Sequence, residues 1–382
     1  MIQVVRSARE LGPLVPEWQR LVAEASEPNP FYEPFMLVPA MAELARGGEV
    51  VTLFVRSDGG DLIGVFPLRH VRFCPAMPAP HYAMWKHPYC YLSTPLTRSG
   101  DEVPALRAAM GWLSGAALRL GPHPVGGAFD LALQAFVASD GMLLQTTLQY
   151  DRPMVQTTLG STEYYERAVS ERKRKQLRRL QRRLGQRGTL GFHTIRSSVE
   201  VESAIRQFIA LEHKGWKGRE RTSFASNPRD RVFLERAAAA GAARGQVEVR
   251  SLTLDAAPIA MSITLRGGGG AFAFKIAYDE DHGANSPGVL LDVEMFKELL
   301  DDPAVLFVDG CSDPDYPISN PHWAERRSIR IGILARDSWL GHTLIASGTH
   351  VQEWARGAKR WTGSLDPTVQ ARLRRIRRLL RG

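Results

Sequence analysis

Ala271-Phe272-Ala273-Phe274-Lys275-Ile276-Ala277-Tyr278, then Asp279 to Asn285, then Ser286-Pro287-Gly288 and the apolar-periodic run Val289, Leu290, Val293, Phe296, Leu299 and Leu300, is the stretch that decides the fold. The first eight residues alternate small and large side chains at the strand period, and Gly267 to Gly270 before them mark a turn. Asp279 to Pro287 cannot continue that strand. Ser286 as N-cap and Pro287 as first helical residue open a helix whose first turn carries unpaired N–H groups and the positive end of the helix dipole. Gly288 lets a ligand approach the backbone there, which suits a phosphate. After Pro303, Val305 to Asp309 reads as a short buried strand ending in a carboxylate. An ordinary helix start remains the plainer account of the turn taken alone.

Upstream, Leu211-Glu212-His213-Lys214-Gly215-Trp216-Lys217-Gly218 forms a second short motif. Together with Lys275 to Glu280 and Asn285 to Leu291 it resembles the acyl-CoA half of GNAT-type acetyltransferases. More specifically it resembles the bacterial GNAT-type family associated with cellulose biosynthesis, itself related to the Fem-type aminoacyl transferases built from two GNAT-like halves. The similarity runs from about Gly160 to Ala335, with a fainter echo before it. It implies an α+β fold with a mixed sheet, tandem GNAT-like halves and a C-terminal helical tail. The expected division is 1–158 for a first half that has lost cofactor binding, 159–340 for the acetyltransferase domain, and 341–382 for C-terminal helices with a basic tail.

Acetyl-CoA or another acyl-CoA is the implied co-substrate, with no metal. Lys275, Tyr278, Asn285, Ser286, Gly288 and Val289 are the implied cofactor contacts. Acyl transfer also needs a group to take the acceptor's proton. Asp309 and Asp313 are the first candidates for it, with Tyr316 as acid for the departing thiolate. Glu212, Trp216, Lys217 and Trp323 are candidate acceptor contacts. The related family carries a Gly-Asp-Glu type motif followed by Tyr-Lys where this chain reads Gly310-Cys311-Ser312-Asp313-Pro314-Asp315-Tyr316, so the acid–base group is left open. Cys311 with His322 would be a covalent alternative.

The first 158 residues give strand Ile2 to Val5, apolar helices around Trp18 and from Pro34 to Leu44, and strands Val50 to Arg56 and Leu62 to Val71. Helices Glu102 to Leu120 and Phe129 to Ala138 follow, then strands Met142 to Gln149 and Met154 to Thr158, with a boundary near Arg152-Pro153. Cys74 to Pro95 carries His81, Tyr82, Trp85, His87, Tyr89, Cys90 and Tyr91. It admits a zinc site, a loop packed by its own aromatics, or an aromatic lining for the acceptor.

The chain has 382 residues and a net charge of +9. Arg167 to Arg187 holds ten basic residues and one acid, and Gln370 to Gly382 holds six arginines and no acid, so the remainder is net acidic. The basicity is local. Thr162 to Leu184 reads as one helix with Leu177, Leu180 and Leu184 on a stripe, and Thr368 to Arg381 as an amphipathic helix. Either a solvated face or contact with a polyanion or anionic membrane surface, through Arg167 to Arg187 and Arg372 to Arg381, accounts for them. Three scattered cysteines and the lack of a long apolar run point to the cytoplasm, with the inner membrane surface as a peripheral option. A small-molecule or carbohydrate acceptor fits an acyltransferase. A Fem-like transferase using aminoacyl-tRNA, or a non-catalytic polyanion binder, is the rival reading.

Overall fold

A computed structural model describes residues 1–46, 48–72, 79–312, 323–339 and 341–345. The first half runs β1 (Ile2–Val5), α1 (Ala8–Leu11), α2 (Val15–Ala23), α3 (Pro34–Glu43), β2 (Val50–Arg56), β3 (Leu62–Val71), β4 (His81–Met84), β5 (Leu96–Thr97), α4 (Glu102–Trp112), β6 (Leu118–Pro124), α5 (Ala128–Ser139) and β7 (Met142–Val155). The second runs α6 (Ser161–Ala168), α7 (Glu171–Gly185), β8 (Leu190–Ile195), α8 (Ser198–Lys214), α9 (Trp216–Arg219), α10 (Pro228–Ala242), β9 (Val247–Leu254), β10 (Ala257–Gly267), β11 (Gly270–Tyr278), α11 (Pro287–Leu300), β12 (Phe307–Asp309) and β13 (Arg326–Arg336). In both halves a strand and three helices, one of them a single turn, lead into an antiparallel run of three strands, a helix, and a strand parallel to the last of the three. The fold is therefore α+β with tandem GNAT-like halves.

The strands share one mixed sheet in the order β1-β2-β3-β4-β6-β13-β7-β12-β11-β10-β9-β8. β7 is the hinge strand, pairing with β13 from Met142 to Pro153 and with β12 at Met154 and Val155. It is continuous through Arg152-Pro153, where two separate strands were expected. β13 lies between β6 and β7, so a late segment completes the first half's sheet.

The basic run is also corrected. α6 ends at Ala168, Val169 is buried and extended, and Ser170 caps α7, whose Leu177, Leu180 and Leu184 bury against Leu290, Leu291 and Val293. The halves share an apolar core, with Phe31 of the first against Phe272 and Phe274 of the second. No helix among the described residues is long and apolar enough to cross a membrane. The amphipathic tail, Arg372 to Arg381 included, lies outside the described residues.

Candidate active site

β11 pairs with β10 from Gly267↔Gly270 to Ala260↔Tyr278, with a shift of register at Phe274. On its other edge it meets β12 only at Gly270, Ala271 and Phe272. From Ala273 onward the two strands part, and a cavity of about 400 Å³ opens between them. Ala273, Phe274, Lys275 and Ile276 line one wall, and Gly310, Cys311 and Ser312 the other. A strand edge left without a neighbour presents backbone donors and acceptors to an extended ligand.

The same parting in the first half is closed. β4 and β6 pair only at Tyr82↔Leu118 and Ala83↔Arg119, and the chain after β4 fills the gap. Ser93 N–H donates to Pro122 O at 2.7 Å. Asn29 Nδ2 donates to Thr94 O at 2.7 Å. A Cβ on Gly121 would stand 2.4 Å from that of Ser93, so glycine is what admits the plug.

Beyond Tyr278 a 3₁₀ turn, Glu280–Asn285, leads to α11. Ser286 is the N-cap and Pro287 the first helical residue, as expected, but Ser286 has φ +51° and its side chain makes no capping bond. Asn285 is buried, and Val289 N–H bonds to Ser286 O at 3.0 Å. A Cβ at Gly288 would lie 3.3 Å from the Tyr278 ring, so only a hydrogen sits easily in that cradle.

The two sequence motifs meet at this turn. Trp216 N–H donates to Glu280 Oε1 at 2.7 Å and Arg219 to Oε2 at 2.6 Å, while Lys214 reaches Asp279 and Asp281 at 2.8 Å each. Glu212 is buried and accepts from Lys217 Nζ at 2.6 Å and from Phe224 N–H at 2.9 Å. Trp216 and Lys217 line the cavity mouth.

Asp309 is fully buried at the closed end of the wedge. It accepts from Arg152 at 2.5 Å, Arg327 at 3.2 Å and Cys311 N–H at 2.9 Å. Burial alone would raise its pKa, but the two guanidinium groups hold it below the ordinary aspartate range. A carboxylate so engaged orders its neighbours and is a poor proton acceptor. Asp313, Tyr316 and His322 lie outside the described residues. Burial, with Asp309 beside it, pushes the Cys311 thiol well up, so it is not poised as a nucleophile. Trp323 Nε1 donates to Asp292 Oδ2 at 3.3 Å, and both line the cavity.

Lys275 crosses to the first half. Its Nζ donates to Tyr91 Oη at 2.6 Å and lies 5.0 to 5.8 Å from the ring centres of Tyr89, Tyr91, Phe274 and Phe224. Burial lowers its pKa to about 8, against the opposing pull of Glu212. Tyr91, Arg152, Lys86 and Asp292 also line the cavity and were not singled out as its residues from the sequence; the aromatic loop was the available signal for Tyr91.

The rings of that loop pack mainly on the second half, and its Tyr91 lines the cavity. Tyr89 stacks on Phe224 and Phe233 at 4.5 and 5.3 Å, His87 lies between Trp85 and Phe233, and burial takes the His87 pKa down to about 3. Cys90 Sγ donates to Leu92 O at 2.8 Å, and Cys74 lies outside the described residues. No cluster of three or more His, Cys, Asp or Glu suited to a metal ion is found among the described residues.

Residues 171–316 match the family model of the acetyltransferase (GNAT) domain. No curated protein matches the chain. FemX is similar at 12% identity and TM-score 0.56, over 87% of this chain and 98% of its own. A conserved protein of unknown function from Bacteroides thetaiotaomicron VPI-5482 is similar at 9% identity and TM-score 0.56, over 87% of this chain and 100% of its own. So is the C-terminal domain of a protein described as a lysylphosphatidylglycerol synthetase from Agrobacterium fabrum, at 13% identity and TM-score 0.52, over 90% and 96%. At such identities these likenesses speak to the fold. The chain thus carries a GNAT-type acyltransferase domain at residues 171–316, set in a tandem fold of the kind seen in FemX.

Proposed function

We propose that the chain transfers an acyl group from acetyl-CoA or another acyl-CoA to an amine or hydroxyl acceptor held in the cavity between its halves. The parting of β11 from β12 after Phe272 carries this reading, because the free edge from Ala273 can pair with the amides of an extended pantetheine. The residues present fit such a group: Tyr278, Gly288 and the first turn of α11 would hold its pyrophosphate end, with Ser286, Asn285 and Val289 around them. The thioester supplies the acyl group. Lys217, Trp216 and Trp323 stand where the acceptor would enter, and a sugar, a polysaccharide precursor or an amine suits the cavity. The family associated with cellulose biosynthesis and a cytoplasmic location belong to this proposal.

Calorimetric titration of the full chain with acetyl-CoA should show one site, since the first half's slot is plugged by Ser93. Gly288→Glu adds bulk and negative charge at the cradle and should weaken binding about tenfold or more while the folded circular dichroism is retained. Wild-type protein that binds no acetyl-CoA rejects the reading. Unchanged affinity in a folded Gly288→Glu variant removes the α11 turn from the site.

A second reading has one observation behind it. Arg172, Arg178, Arg179, Arg182 and Arg183 are exposed on α7 and form no ion pair among the described residues, and α7 packs beside the Glu280–Asn285 turn. That row suits a polyanion such as the tRNA of a Fem-like donor. RNA binding that weakens steeply with salt, without acetyl-CoA binding, would favour it.

A further inference from the structure

We propose that Lys275 and Tyr91 are the proton-transfer pair of this reaction, so that the first half, whose own slot is closed, supplies a reacting group to the second. The inference rests on the acyl-transfer reading above. The two side chains line one cavity and touch at 2.6 Å across 184 residues of sequence. Lys275 stands on β11 three residues past the last β12 pairing, roughly 10 Å along the free edge that would carry the thioester.

Among the described residues, three carboxylates facing the pair are engaged. Glu212 is held by Lys217 and Phe224 N–H, Asp309 by Arg152 and Arg327, and Asp292 by the indole of Trp323. Burial and the neighbouring Asp230 push the Tyr89 hydroxyl up, and burial does the same to Cys311. Lys86, Arg152 and Lys217 complete the charged wall of the cavity, and burial is what disfavours the positive charge at Nζ. With its pKa brought down to about 8, Lys275 holds a useful fraction of free amine near neutral pH.

In the step, the acceptor's nitrogen or oxygen forms the bond to the acyl carbon, and its proton passes to the Lys275 amine. The C–S bond breaks with its electron pair on sulfur. The Lys275 ammonium then returns the proton to sulfur through the Tyr91 hydroxyl, so no outside acid is consumed.

The test uses the full chain, acetyl-CoA and hydroxylamine, a small nucleophile already neutral over the range scanned, with thiol release as the signal. Wild-type kcat/KM should rise along a limb centred near pH 8 and level off above it. Lys275→Met and Lys275→Arg should each lose on the order of 10²-fold and the limb with it, while calorimetry shows acetyl-CoA still bound. Tyr91→Phe should lose less, and the double variant should be no worse than Lys275→Met. A Lys275→Met variant that binds acetyl-CoA and keeps both rate and limb overturns the pair; failure of the wild type to bind acetyl-CoA overturns the acyl-transfer reading instead. A readout without turnover is the pH dependence of Lys275 acetylation by acetic anhydride, followed by mass spectrometry. Half-maximal reactivity near pH 8 supports the pair, and the ordinary lysine value of 10.5 overturns it.

Discussion

Asp309 is the residue whose environment says most about the site. Two guanidinium groups converge on it where no solvent reaches, and it also fixes the Cys311 backbone, which has φ +47°. Asp309→Asn should leave two cations facing a neutral amide and cost about 3–5 kcal/mol of stability in urea unfolding. Wild-type stability with lost turnover would instead give Asp309 the proton-transfer role expected from the sequence. The sequence placed Asp309 correctly at the end of a short strand beside β11. It could not reveal Arg152, 157 residues away, because only the pairing of β7 with β12 brings that guanidinium to the carboxylate. Tyr91 escaped for the same reason: a tyrosine in a Pro- and His-rich loop carries no local mark of the lysine it meets.

At the scale of elements, the two motifs read from the sequence work as one clasp. Gly218 makes the turn between α8 and α9 possible, since a Cβ there would stand 1.8 Å from His213 O, a backbone atom. Gly218→Ala should open that turn, destabilise the chain by about 1–3 kcal/mol in denaturant, and weaken acetyl-CoA binding through the Trp216–Glu280 bond. Glu280→Gln keeps an acceptor for Trp216 N–H and loses only an exposed pair with Arg219, so it should cost less than about 1 kcal/mol. Equal effects from the two variants would show that the turn geometry does not matter.

Elements with strong local periodicity were legible: β11, α11 and the leucine stripe of α7. Misread places had competing local signals. Ser170 accepts from Lys173 N–H as a true cap, but the basic run masked the break before it. Pro153 suggested a break between two strands, yet it sits near the end of β7 in register with Arg326, where its missing N–H does not stop the pairing.

Across the whole molecule, the halves are fastened by long-range pairing that no local pattern announces, with β13 laid into the first half's sheet and Glu33 reaching from α3 toward the strands of the second half. Glu33 is almost fully buried, accepts from the Gln246 amide, and would meet a Cβ on Gly267 at 2.6 Å. Burial raises its pKa from 4.5 to about 7, with Gln246 and Arg244 opposing. A carboxyl that binds its proton more tightly when folded contributes stability that is fully present below the unfolded pKa and lost as pH rises through the folded one. The wild-type unfolding free energy should therefore fall between about pH 4.5 and 7 by up to roughly 3 kcal/mol from this group, then flatten. Glu33→Gln retains an oxygen to accept from Gln246 and carries no charge at any pH. The stability difference between variant and wild type, in which the other titrations cancel, should grow through that window and leave Glu33→Gln the more stable protein at pH 8. A variant less stable than wild type at pH 8 would mean that Arg244 stabilises the ionised carboxylate by more than burial costs it, making the contact between the halves a net favourable ion pair.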